Sequence, residues 1–377
     1  MTDPPELAAR ASTARPTVGV VGAGSMGAGI AQVALEAGSE VVLHDVDPAA
    51  IERARERIRD GLERRATKLG LDEGAVDSWV GARLEALREA HTLDTVAGQA
   101  ELVIEAALED LDLKREVFRA LDAEAIRGAI LATNTSALSV TAIAAATRNP
   151  GRVIGLHFFN PVPRMPLVEV VPGEKTRETV VARAEAIVRS WGKTPVRSTD
   201  TPGFIVNRVN RPFTIMALRF LEESRSTVET IDTAMRAAGF PMGPFELMDL
   251  SGLDVNLAAA RAIWEGLGRP DRLRPSPIQE QLIAQGRLGR KTGAGFYAYR
   301  NGRRGEAFDS ADERPPTATM RAADIRTRIL AAIDAEARRA RDDGVASEDD
   351  IDLALRLGAN HPTGPFERER AASLSHD

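Results

Sequence analysis

Residues 18–21 (VGVV) form a short, β-branched apolar run that stops at glycine, the pattern of a buried strand. Residues 22–38 (GAGSMGAGIAQVALEAG) then place apolar side chains at helical spacing and close on Gly38, a stop signal. A second apolar run, 40–44 (EVVLH), ends at Asp45 and completes a βαβ unit. Asp47 and Pro48 open a long Arg- and Glu-rich helical stretch over 49–69, and the pattern predicts a second helix over 73–89. Strands are expected at 102–104, 130–133 and 153–158, with a helix over 111–121. Pro161, Pro163 and Pro166 break the chain before a last strand at 167–171. Strands alternating with helices predict a doubly wound α/β domain of the Rossmann type.

Beyond Asp200 the pattern changes. Strand-like runs vanish and helical segments cover 204–223 and 227–238, which places a domain boundary near 197–202. The helical part contains an internal repeat. Residues 227–246 (TVETIDTAMRAAGFPMGPFE) and 346–367 (ASEDDIDLALRLGANHPTGPFE) share an acid-rich helix start, an Ile-Asp pair and GPFE. The expected organisation is a tail at 1–15 and an α/β domain at 16–199 with a helical insertion at about 49–90. An all-α C-terminal domain follows at 200–304, then a second, shorter helical repeat at 317–377. Residues 305–316 read as the linker between the two copies.

Composition narrows the function. Of 377 residues, 43% are apolar and 28% charged, which are globular values. Lys+Arg 49 against Asp+Glu 55 gives a net charge of −6, which argues against general nucleic-acid binding. An anionic substrate must therefore be met by a local cluster of cations. With no cysteine, disulfides, thiolate metal sites and a thiol nucleophile are excluded, and no metal is expected. The first residues resemble no signal peptide, and no stretch nears the roughly 18 apolar residues of a spanning helix. A soluble cytoplasmic protein without a membrane partner is the expectation.

Gly22-Ala23-Gly24-Ser25-Met26-Gly27 is a G-x-G-x-x-G run that follows a strand and opens a helix. Gly22 permits the tight turn, Gly24 lets the backbone approach a pyrophosphate, and Gly27 lets helix and strand pack closely. The helix start offers free N–H groups to phosphate. Asp45 lies 23 residues beyond Gly22, placed to accept the ribose hydroxyls. It would repel a 2′-phosphate, and Val46 and Asp47 offer no arginine in its place. The expected cofactor is NAD rather than NADP.

Of five histidines, His157 lies at the C-terminal end of a strand, where α/β proteins bind their ligands. Glu169 follows twelve residues later, after the Pro-broken turn, and a hairpin-like return would bring it beside His157. A carboxylate there orients an imidazole and supports its protonated form. Such a pair suits alcohol oxidation, in which a base takes the hydroxyl proton as hydride leaves for a nicotinamide. A satisfied structural histidine is the other reading of these residues.

Seven segments carry a resemblance in order along the chain: VGAGSMGAGIA, VIEAALEDLDLKREVF, ATNTSALS, GLHFFNPVPRMPLVEVV, TPGFIVNRV, GFPMGPFELMDLSGLDV and GRLGRKTGAGFYAY. Over roughly residues 17–300 the sequence resembles the L-3-hydroxyacyl-CoA dehydrogenases. The later repeat resembles the extra C-terminal unit of the family's longer members. The resemblance implies an NAD-dependent, reversible oxidation of an L-3-hydroxyacyl-CoA, such as 3-hydroxybutyryl-CoA, to the 3-ketoacyl-CoA. It implies that His157 is the base and Glu169 its carboxylate partner. Ser136 would bond the substrate oxygen, Asn207 touch the reacting group and Asn160 position the substrate. Glu109, Lys114 and Lys291 would line the cofactor site with Gly22, Gly24, Ser25, Met26, Gly27 and Asp45. Ser136 and Asn207 carry no local pattern of their own. Without the resemblance they read as a turn hydroxyl and a helix-cap amide.

Two departures stand out. The family often has a second serine where Ala137 stands. The helical pair that clamps CoA in the family usually holds a Lys-Gly-Lys turn, and here only Lys68 matches it. Arg53, Arg57, Arg64 and Arg65 could meet CoA phosphates, or, with Glu52, Glu56 and Glu63 at pairing distance, form a solvated helix face. Alternatives are a dehydrogenase of a free hydroxy or sugar acid, such as an L-gulonate 3-dehydrogenase, and a non-catalytic NAD-binding structural protein. The family's shorter members dimerise through the helical domain, so either a homodimer or a pseudo-dimeric monomer is expected, with the second repeat packed against the first.

Overall fold

A computed structural model describes residues 15–307 and 320–374. The expected tail, except Arg15, and the linker from residue 308 onward lie outside the described residues. The chain divides into two compact units, 1–196 and 197–377.

In the first unit the elements run β1 (Val18–Val21), α1 (Ser25–Glu36), β2 (Val41–His44), α2 (Pro48–Lys68), α3 (Glu73–Glu85), β3 (Leu87–Glu89), α4 (Leu93–Ala97) and β4 (Leu102–Glu105). They continue with α5 (Leu111–Glu124), β5 (Ile130–Thr133), α6 (Val140–Ala144), β6 (Val153–Phe158), β7 (Leu167–Pro172), α7 (Glu178–Ser190) and β8 (Thr194–Arg197). The sheet order is β3-β2-β1-β4-β5-β6-β7-β8. Strands are parallel from β3 through β6, and β7 returns antiparallel to β6. The crossovers put helices over the sheet, so β1, β2, β4 and β5 are buried along their whole length and read as continuous apolar runs. Asp47 caps α2 by accepting the Ala49 N–H, and Pro48 occupies its first turn.

The predicted helix over 73–89 stops earlier than expected. It ends at Glu85, and residues 87–89 form an edge strand parallel to β2. Only Leu87 of that strand is buried, and three residues with one inward side chain carry no period that a sequence pattern registers.

The second unit holds α8 (Val206–Val209), α9 (Arg211–Glu222), α10 (Val228–Ala237), α11 (Pro244–Ser251), α12 (Leu253–Gly266) and α13 (Pro277–Ala284). A hairpin of β9 (Tyr297–Arg300) and β10 (Arg303–Ala307) follows, then α14 (Ala322–Asp342), α15 (Glu348–Ala359) and α16 (Pro365–Leu374). The helix expected over 204–223 is broken at Asn210, and a new helix starts at Arg211 with Pro212 in its first turn. The hairpin contradicts the reading that strands vanish after residue 200. Asn301 and Gly302 turn it with φ of 51° and 72°, the left-handed pair that two-residue hairpin loops favour. Residues 305–307 therefore belong to β10 rather than to the linker.

The repeat has a structural cause. Asp232, on α10, accepts the Phe245 and Glu246 N–H groups at 2.9 and 3.1 Å, so it caps α11. Asp352, on α15, accepts the Phe366 and Glu367 N–H groups at 2.8 and 2.9 Å and caps α16 the same way. Glu246 and Glu367 reach back to the N–H groups of Gly243 and Gly364. The Ile-Asp pair and GPFE recur because each buried carboxylate satisfies the orphan donors of the helix after it. The second copy packs against the first, α14 lying on α8, α9 and α10, and α15 on α8.

Candidate active site

Parallel strands bring their carboxyl ends to one edge, and the chemistry of the first unit gathers there. After β1, Gly22 has φ of 102°, and a Cβ on it would meet the Ala106 carbonyl oxygen at 2.6 Å. A Cβ on Gly27 would lie 1.8 Å from the Gly22 oxygen, so only glycine lets α1 start this close to the strand. Gly24 and Ser25 are exposed, and Met26 is half-buried. No side chain caps α1 and no acid occupies its first turn, so the positive end of the helix is open to an anion. Asp45, just past β2, accepts the Ala23 N–H through Oδ2 at 2.7 Å and the Asp47 N–H through Oδ1 at 2.9 Å. The carboxylate is thereby fixed beside the glycine turn. Beyond it lies a pocket of about 480 Å³ lined by His44, Asp45, Ile51, Glu52 and His91 among others. These residues fit a dinucleotide: donors for the phosphates, an acceptor for ribose hydroxyls and a cavity next to it.

At the end of β4, buried Glu105 collects three donors. Its Oε1 accepts the Lys114 ammonium at 2.6 Å and the Ala107 N–H at 2.7 Å, and its Oε2 accepts the Thr133 hydroxyl at 2.7 Å. Lys114 is also within 3.4 Å of Glu109. Glu109 Oε1 in turn accepts the Thr135 hydroxyl at 2.6 Å and the Ser136 and Ala137 N–H groups at 2.9 and 3.2 Å. A chain of charge-assisted bonds thus runs from the sheet to the loop that carries Ser136. At position 137 the loop uses its backbone N–H, which alanine supplies as well as serine.

On β6 and β7, His157 stands opposite Glu169 in the antiparallel register. The His157 Nδ1 lies 2.6 Å from Glu169 Oε2, with the residues 4% and 0% exposed. A buried carboxylate accepts, so Nδ1 carries the proton and the lone pair of the ring is on Nε2. The ring packs against Phe159, 4.5 Å between centroids. Asn134, at the head of the Ser136 loop, accepts the Phe158 N–H at 2.8 Å and ties that loop to the histidine's strand. Ser136 is half-buried, and Asn160, just after this strand, is exposed.

An open, mostly parallel sheet whose first turn is shaped for a pyrophosphate places the first unit among the dinucleotide-binding Rossmann proteins. Two family profiles extend this across the chain. "3-hydroxyacyl-CoA dehydrogenase, NAD binding domain" matches residues 17–201, and "3-hydroxyacyl-CoA dehydrogenase, C-terminal domain" matches 203–299 and 325–374. A curated relative, "3-hydroxyadipyl-CoA dehydrogenase" of Escherichia coli (strain K12), is 38% identical over 429 residues, covering 93% of this chain and 89% of its own. "Hydroxyacyl-coenzyme A dehydrogenase, mitochondrial" of Rattus norvegicus is 43% identical over 286 residues, 75% of this chain and 91% of its own. A solved structure described as 3-hydroxybutyryl-CoA dehydrogenase from Escherichia coli superposes with a TM-score of 0.83 at 37% identity, covering 95% of this chain and 91% of that one. The chain belongs to the 3-hydroxyacyl-CoA dehydrogenase family. It is an NAD-dependent oxidoreductase acting on CH–OH groups. Among the described residues no helix is long and apolar enough to cross a membrane.

The remaining expected site residues lie elsewhere. Asn207 and Lys291 are in the second unit. Asn207 is half-buried on α8, and Lys291 pairs with Asp254 at 2.6 Å. Lys68 is exposed at the end of α2. On the same helix Arg53 pairs with Asp47 and Arg65 with Glu36, so neither takes the intrahelical glutamate partners expected of a solvated face. Glu105, Thr133 and Asn134 went unnoticed in the sequence. The available signal was an acid closing a fully buried strand, which requires a partner cation.

Proposed function

We propose that the chain catalyses the reversible NAD-dependent oxidation of an L-3-hydroxyacyl-CoA to the 3-ketoacyl-CoA, with His157 and Glu169 as its general-base pair. The buried contact between His157 Nδ1 and Glu169 at 2.6 Å carries this reading. It fixes the tautomer in which Nε2 can take the hydroxyl proton at C3. The dinucleotide, when bound, supplies the acceptor for the C3 hydride. Ser136 and Asn207 hold the substrate oxygen, and Asn160 orients the acyl group. Glu169 stabilises the imidazolium that forms, which it can do at full strength because both groups are shielded from water. Gly22, Gly24, Ser25, Met26 and Gly27 hold the phosphates and Asp45 the adenosine ribose. Glu109, Lys114 and Lys291 serve the cofactor, the first two by fixing the loop bearing Ser136. Lys68, exposed, meets the CoA phosphates. The second helical copy covers the face that a partner subunit would otherwise take.

Oxidation of NADH with acetoacetyl-CoA tests the assignment. Activity that survives unchanged in His157→Gln defeats the base assignment. Turnover of gulonate in preference to 3-hydroxybutyryl-CoA moves the enzyme to free hydroxy acids. A series from 3-hydroxybutyryl-CoA to longer chains and to 3-hydroxyadipyl-CoA, the substrate named for one relative, sets the acyl preference.

A further inference from the structure

Helix α8 has four residues, Val206–Val209, too few to hold their conformation alone. It is entered through two residues with left-handed backbone, Gly203 at φ 79° and Phe204 at φ 48°. Several of its side-chain anchors come from the second helical copy. Arg208, 1% exposed, donates from Nε to Glu336 Oε1 at 3.0 Å and from a terminal nitrogen to Asp343. Glu336 is itself 1% exposed, also accepts Arg272 at 2.6 Å and has Arg339 within 3.9 Å, so three guanidinium groups surround one buried carboxylate, two of them hydrogen-bonded to it. Just past the C-terminal end of α8, His361 donates from Nε2 to Asn210 Oδ1 at 2.8 Å. Upstream, the Thr199 N–H donates to the Val345 carbonyl at 3.0 Å. Asn207 sits inside this frame, next to Arg208 and three residues before Asn210.

We propose that Glu336 is a positioning residue for the dehydrogenase reaction, holding Arg208 and through it the backbone of α8, so that the Asn207 amide is presented in one orientation. The second copy is then part of the catalytic apparatus although it supplies no reacting group. The inference rests on the role given to Asn207 above. A four-residue helix anchored at Arg208 and at its C-cap Asn210 is held in one backbone setting. Loss of the central anchor leaves Arg208 and Arg272 without their shared carboxylate and lets the amide move by an ångström-scale step that catalysis does not tolerate.

The test is a double-variant cycle on the full chain with acetoacetyl-CoA and NADH. Glu336→Gln keeps the shape and removes the charge. The expected result is a fall in kcat of about 10- to 100-fold, with the dissociation constant for NADH, read by fluorescence, unchanged. In an Asn207→Ala background the same Glu336→Gln change should alter kcat by less than about twofold, because the group it positions is gone. An equal loss in both backgrounds, or no loss in the parent, overturns the proposal. If Asn207→Ala alone leaves kcat intact, the role of Asn207 fails first and the proposal falls with it, a result distinct from the other two. Should Glu336→Gln not fold, Arg208→Lys, which keeps the charge but loses the Nε–H that meets Glu336, carries the same cycle with the same required outcome.

Discussion

Glu169 faces His157 directly across the antiparallel pair β6 and β7, and neither side chain reaches solvent appreciably. Directly opposed residues share one face of the sheet, so the twelve-residue return through three prolines sets the contact by register. Gln at 169 would still accept the Nδ1–H through its amide oxygen but would offer no charge to an imidazolium. Glu169→Gln should therefore lower kcat by about 10²-fold, the low end of what positioned acid–base groups contribute, and leave KM for the acyl-CoA within a factor of about two. Steady-state kinetics in both directions checks this. An unchanged kcat would remove Glu169 from the chemistry.

The glycine turn and the carboxylate beside it could be read from sequence because their physics is local. Gly22, Gly24, Gly27 and Asp45 fall within one βαβ unit, and each answers to a steric or electrostatic need visible at its own position. His157 and Glu169 are also close in sequence, and the prolines between them announce a return. Arg208 and Glu336 are separated by 128 residues, and nothing at either position marks the other. The break at Asn210 was hidden for a related reason: the helical period continues through it, while the backbone that enters α8 is set by distant contacts. The edge strand β3 and the β9–β10 hairpin were too short to outweigh neighbouring helical signals. Even so, the Asn301-Gly302 turn was present as a dipeptide with a known meaning.

Asp45 does two things at once. It anchors the glycine turn through the Ala23 N–H and presents a carboxylate where ribose hydroxyls are expected. Asp45→Ala removes a charged acceptor, worth about 1.5–3 kcal/mol per bond. The dissociation constant for NAD should rise by about 10- to 100-fold, and discrimination against NADP should fall because the repulsion is gone. Titration of NADH and NADPH fluorescence reads both numbers. Retained preference for NADH in this variant would assign selectivity to another group.

Lys114 is held between Glu105 and Glu109, with its side chain 1% exposed. Lys114→Met leaves the Glu105 carboxylate buried without a cation. Breaking a buried pair from one side costs about 3–5 kcal/mol, and urea unfolding should show a loss of that size. Replacing both partners, Glu105→Leu with Lys114→Met, should cost less than the sum of the single changes, since no charge is stranded. Strict additivity would mean that the pair acts through something other than its charge.

His361 sits opposite Phe240, ring centroids 4.9 Å apart, and its Nδ1 has no hydrogen-bond partner among the described residues. Burial, with a smaller contribution from Arg368, lowers its pKa from 6.5 to about 3. The folded protein therefore keeps a neutral imidazole over a pH range in which the unfolded chain takes up a proton. The sign follows: stability is full above pH 6.5, falls as pH drops through that value, and stops falling near 3. At pH 5 the gap is about 1.5 pH units, or about 2 kcal/mol. His361→Gln keeps a donor for Asn210 and does not titrate. The variant should lose about 2 kcal/mol less than the parent between pH 7.5 and pH 5 in urea melts followed by circular dichroism. Parallel losses in the two proteins would show that the acid sensitivity of the helical unit lies in its carboxylates instead.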